Sequence, residues 1–135
     1  MYLQLSKKEF RRLLDLVYIG NWVLNSVRED DRISDYDDVE SLLFSHCAGC
    51  GMDSLAEFWE GTVIPSRAFE EGGIHEAIMD YEDAVFFDIL AEELARRDMN
   101  YTPVGPENYD ELVERMDAYL DEFDAHGTEN LRLDT

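Results

Sequence analysis

The stretch Ile74–Arg97, IHEAIMDYEDAVFFDILAEELARR, decides the fold class, being the longest helical pattern in the chain without Gly or Pro. Ile74, Ala77, Ile78, Tyr81 and Val85 recur at helical spacing and define one apolar stripe. Glu76, Asp80 and Asp83 share another face. Further along, Ala84–Phe87 and Ile89–Ala91 are apolar on all sides, the pattern of a helix buried from most directions. The expectation is a central helix on which the others pack. Asp88 falls inside that run. A carboxylate buried there must be paired, hydrogen-bonded or protonated. Asp88 is therefore a candidate buried carboxylate, held by an Arg or a backbone donor, or else a metal ligand or acid/base group.

Upstream, Leu5-Ser6-Lys7-Lys8-Glu9-Phe10 reads as a helix start. Ser6 and Glu9 form a capping box, with Leu5 and Phe10 at the staple positions. The first helix is expected over Lys7–Val27, with Phe10, Leu13, Val17 and Leu24 as its core face. Leu14, Tyr18 and Trp22 form a second apolar ridge at i, i+4 and i+8. If no neighbour covers that ridge it marks an interface, and a two-fold homodimer is the commonest solution. Ser34 or Asp35 is expected to cap a second helix carrying Tyr36, Val39, Leu43 and Cys47 on one face and stopping at Gly49 and Gly51. Ser54 to Glu57 reads as another capping box, opening a short helix through Phe58 and Trp59. Thr62–Pro65 looks extended, since Pro65 disfavours helical backbone at Ile64. Ser66–Glu71 supplies one further helical turn, and Gly72-Gly73 breaks the chain.

Downstream, Pro103, Gly105 and Pro106 impose a loop. Asn108 and Glu111 form the last capping box, and Tyr109, Leu112, Met116, Tyr119 and Phe123 give a helical stripe that ends at Gly127. The predicted fold is all-α: a single-domain helical bundle over residues 1–127, of four main helices plus one or two short ones, with a loose tail over 128–135.

The 135 residues include 32 Asp and Glu against 11 Lys and Arg, a net charge of −21. Binding to nucleic-acid phosphates or an anionic membrane would work against that charge. A cation or a basic protein partner fits it. No apolar run is long enough to span a bilayer, and no signal-peptide pattern opens the chain, so a cytoplasmic protein is expected. Lys7, Lys8, Arg11 and Arg12 place four of the basic residues within one and a half turns. That basic patch is read as bridging to acidic helices, with docking of an anionic group as the alternative.

Two constellations could carry chemistry. His46-Cys47-Ala48-Gly49-Cys50 contains a C-x-x-C pair, which can share a zinc ion or form a redox disulfide. A closed zinc site needs four ligands, so His46, His75 or His126 would have to join through the fold. The bland reading, two reduced cysteines with Cys47 in the core, is favoured. Asp37 and Glu40 are spaced i, i+3, as are Asp80 and Asp83, with Glu76 one turn earlier. Such pairs on neighbouring helices can hold Mg²⁺ for hydrolysis of a nucleotide or phosphate substrate. In so acidic a chain they also arise by chance, and the paired E-x-x-E and E-x-x-D signatures of helical pyrophosphohydrolases are absent. Without a Gly-rich phosphate loop, a G-x-S-x-G elbow or an H-E-x-x-H motif, catalysis has no local signature. The favoured expectation is a small acidic interaction or regulatory module that binds a basic partner and needs no cofactor. A metal-dependent hydrolase, using Mg²⁺ or Zn²⁺, is the alternative.

Overall fold

Ser6 and Glu9 start the first helix as their spacing predicts. The Ser6 amide donates to Glu9 Oε1 at 2.9 Å, and the Glu9 amide donates to Ser6 Oγ at 3.1 Å. The computed structural model describes residues 1–134. In chain order it contains α1 (Lys7–Asn25), α2 (Ser34–Phe44), two 3₁₀ turns (Ala48–Cys50 and Asp53–Leu55), β1 (Ala56–Trp59), β2 (Thr62–Pro65), α3 (Arg67–Phe69), a π-type turn (Glu70–Ile74), α4 (His75–Asp98) and α5 (Tyr109–His126). The chain is mostly helical with one small antiparallel sheet, so it is not strictly all-α.

The expected short helix through Phe58 and Trp59 is instead the first strand of a β-hairpin. Ala56 faces Pro65 and Trp59 faces Thr62 in the register. Glu60 and Gly61 make the two-residue turn with φ of 49° and 80°. Two positive φ values match the twist of the strands, and Gly accepts one of them without strain. Phe58, Trp59, Val63 and Ile64 have the aromatic and β-branched side chains that suit a pleated surface. The Ser54–Glu57 pattern imitates a helix cap, and pairing with Thr62–Pro65 overrides it.

Two other expected caps differ as well. Ile33 is the residue before α2 and makes no side-chain cap bond, so neither Ser34 nor Asp35 caps that helix. Asn108 precedes α5 but turns its side chain back to the loop, accepting from the Gly105 amide and donating to the Pro103 carbonyl. Helix α2 stops at Phe44, and Cys47 lies in the turn beyond it.

Contacts divide into two compact units, Met1–Ile78 and Met79–Thr135. In the first, Phe10, Leu14, Tyr18, Phe44, Cys47, Phe69 and Ile78 form the core. The buried line of α1 runs Phe10, Leu14, Tyr18, Asn21 and Asn25, at i, i+4, i+8, i+11 and i+15. This displaces the expected face, since Leu13, Val17 and Leu24 are only partly buried. Phe44 and Phe69 pack edge to face at 5.0 Å, and the Arg11 guanidinium lies 5.0 Å above the Phe69 ring. Gly73, at φ 113°, makes a break inside the π-type turn, two residues before α4 begins.

In the second unit, Ala95, Met99 and Leu112 form a core, with Val104, Met116 and Tyr119 against it. Phe87 meets Phe123 of α5 at 5.4 Å between ring centres. The expected all-round burial of Ala84–Ala91 is not found. Phe86 is 50 % exposed, Ile89 58 %, and Asp88 is exposed too. A single antiparallel partner helix covers one stripe of α4 and leaves the opposite apolar side chains uncovered. Asp88 is therefore a solvated carboxylate, and the premise for giving it a special role is gone. No helix among the described residues is long and apolar enough to cross a membrane.

Candidate functional site

The polar site of the first unit grows from the end of α1. Asn25 is fully buried and Asn21 nearly so, which is costly for amides unless each polar atom finds a partner. Asn25 Nδ2 donates to Asn21 Oδ1 at 2.7 Å and to the Ile33 carbonyl at 3.0 Å, while Asn25 Oδ1 accepts from the Ile33 amide at 2.8 Å. Asn25 thus clamps the start of α2 with its side chain. Asn21 Nδ2 passes the network on to Asp37 Oδ1 at 3.0 Å. Arg32 grips the same carboxylate with two bonds, Nε to Oδ2 and Nη2 to Oδ1, both 2.7 Å. The bidentate fork holds Asp37 below the ordinary carboxylate range, against the effect of its partial burial.

One turn along α2, Glu40 has no arginine fork of this kind. It forms no ion pair among the described residues, and its carboxyl is pushed up to about 7, first by burial. Asp37 and Glu70 add repulsion, while the Asn21 amide and Arg32 partly oppose the shift. Glu40 and Arg32 line two neighbouring cavities. One, of about 280 Å³, reaches to Trp59, Glu60 and Thr62 of the hairpin; the other, of about 210 Å³, to Tyr18 and Trp22 of α1 and to Ser26 just past its end. Tyr18 lines the second cavity; its hydroxyl lies 2.6 Å from His75 Nε2, and burial pushes the phenol up to about 12.

The structure brings Asp37 and Glu40 to one cavity and leaves the other proposed ligands apart. Glu76, Asp80 and Asp83 are exposed on α4. His46 is exposed, Cys47 is fully buried, Cys50 is half-buried, and both thiols are free. Burial raises the Cys47 thiol, with Cys50 adding to the effect. Among the described residues no three His, Cys, Asp or Glu side chains are grouped so as to hold a metal ion. His75 is engaged by Tyr18, and His126 stands 3.9 Å from Glu122 on the surface of α5.

The basic patch resolves locally. Arg11 and Arg12 both bind Asp15 of their own helix, at 2.7 and 2.8 Å, so they do not bridge to the acidic helices. Leu14 and Tyr18, offered as an interface ridge, are buried in the chain's own core, and Trp22 alone stays partly exposed. Trp22 instead packs on His75 at 4.8 Å.

Asn21 and Asn25 are absent from the residues the sequence singled out. Their signal is present, since both continue the i, i+4 line of Phe10, Leu14 and Tyr18. Comparison with protein-family models, characterised proteins and solved structures finds no match.

Proposed function

We propose that this chain is an acidic protein-interaction module whose partner presents a basic surface. The observation that carries the reading is a stripe along α5. Asp110, Glu114, Asp117, Asp121 and Asp124 follow one another at alternating steps of four and three, all exposed. Steps of that kind keep side chains on one face for roughly 20 Å of helix. None of the five forms an ion pair among the described residues, whereas Glu111 on the flank is matched by Arg115. Elsewhere most arginines sit on nearby carboxylates, as Arg67 does on Glu71 and Arg96 on Glu92. The stripe is therefore left as an uncompensated line of charge. Such a line speeds encounter with a cationic partner and makes binding sensitive to salt.

The test is binding of a fluorescent polyarginine peptide to the chain and to a variant carrying Asp110→Asn, Glu114→Gln, Asp117→Asn, Asp121→Asn and Asp124→Asn. The variant is expected to bind more weakly and with a shallower salt dependence. Equal affinity and equal salt dependence in the two proteins would overturn the reading.

A further inference from the structure

The acidic stripe leaves the cavities around Glu40 unexplained, and they lie in the other compact unit. We infer that Glu40, flanked by Trp59 in one cavity and Trp22 in the other, forms a binding site for the guanidinium or ammonium head of a small organic cation. Four observations point the same way. Glu40 is a half-buried carboxylate without an ion-pair partner among the described residues, and it lines both cavities. Its neighbour Asp37 already accepts two bonds from Arg32 and one from Asn21, whereas Glu40 has only the Asn21 amide beside it and keeps acceptor capacity for a ligand. The positive charge of Arg32 is matched by that same bidentate contact and does not repel an incoming cation at full strength. Each cavity offers an indole, the ring that attracts a cation most strongly.

Size and charge narrow the ligand further. Cavities of about 210 and 280 Å³ suit a head group rather than a whole nucleotide. An anion would meet Glu40, Asp37 and Glu60 together. A guanidinium can donate to Glu40 through two parallel N–H bonds, a geometry that a carboxylate accepts in full.

The site also has a pH signature. The charged and titratable groups around Glu40 are Asp37 and Arg32, Glu70, Glu60 on the hairpin wall, and Tyr18, which is hydrogen-bonded to His75. A cation prefers the ionised form of Glu40, so affinity rises as pH rises through about 7, and binding releases a proton.

The experiment is calorimetric titration of the whole chain with n-butylguanidinium and, separately, with acetyl-arginine amide, at pH 6 and pH 8. Saturable binding that is stronger at pH 8 is expected, weakened about tenfold or more by Glu40→Gln and weakened also by Trp59→Ala, which alters only an exposed ring. Binding of butylguanidinium alone identifies a free small molecule as the source of the head group, and equal binding of the arginine amide identifies a protein side chain. Absence of saturable binding by either cation overturns the proposal, as does binding unchanged by Glu40→Gln in a variant whose circular dichroism is intact. The α5 stripe variant serves as a control that keeps this binding, so the two readings fail separately.

Discussion

The Tyr18 hydroxyl and His75 Nε2 lie 2.6 Å apart although the residues are 57 positions apart in sequence. The contact ties the middle of α1 to the first residue of α4. Ring packing reinforces it, with Tyr18 edge-on to His75 at 5.5 Å and to Phe69 at 5.2 Å. Tyr18→Phe keeps the ring and removes only the hydroxyl. The expected cost is about 1 kcal/mol, near the mean for one hydrogen bond, because water can reach the half-buried imidazole and replace the lost partner. Thermal denaturation should show a fall of a few degrees. A loss several times larger would mean that the phenol supports more than this one bond.

Asn25 should be far less forgiving. Its side chain satisfies the backbone amide and carbonyl of Ile33 and donates to the side-chain Oδ1 of Asn21, at a fully buried position. Asn25→Ala leaves buried polar groups without partners and opens a void at the start of α2. Urea denaturation should register a loss of about 3 kcal/mol or more. A loss under about 1 kcal/mol would show that water fills the gap and that the clamp on α2 is dispensable.

Glu40 sets a pH dependence whose sign follows from the direction of its shift. The folded-state value near 7 lies above the ordinary 4.5. Between those values the folded state holds a proton that the unfolded state has released. The stabilisation associated with the protonated form is complete below about pH 4.5 and is lost as pH rises through about 7. Glu40→Gln removes the titration while keeping the shape. The gain in stability of this variant over the parent should therefore grow between pH 5 and pH 8, by about 1 to 2 kcal/mol once solvent screening of this partly exposed carboxyl is allowed for. Urea midpoints at the two pH values measure it, and a gain independent of pH would show that Glu40 titrates normally. Comparison with the variant matters, because Asp37 and Asp98 are shifted the other way and their contributions fall as the solution becomes acidic.

Much of the helical part of this fold is legible in the sequence. Ser6 and Glu9 mark the start of α1 because a capping box needs only local atoms. The stripe of α5 is legible because its apolar residues fall on one side and its acids on the other. The face of α1 is not, since Leu13 and Val17 lie beside Leu14 and Tyr18 on one broad apolar side and only packing on Phe44 and Phe69 selects Leu14 and Tyr18. Hairpin β1–β2 was within reach, as Phe58-Trp59 and Thr62-Val63-Ile64 flank a Glu60-Gly61 turn; the local cap pattern at Ser54 obscured it. The pair Asp37 and Glu40 is visible as a spacing, yet its two members have opposite fates. Arg32 engages one and burial raises the other, a distinction set by long-range contacts.

The hairpin has a consequence for colloidal behaviour. A two-stranded sheet has a free edge on each side, where unpaired backbone groups invite a further strand. Here the strands are four residues long and β2 ends on Pro65, which limits how many ladder bonds a neighbour could make. Phe58 and Trp59 nevertheless face solvent beside that edge. Chains carrying −21 each repel one another. Close to the isoelectric point of about 4.1 that repulsion vanishes, and the hairpin is then one apolar edge at which copies of the folded protein can meet.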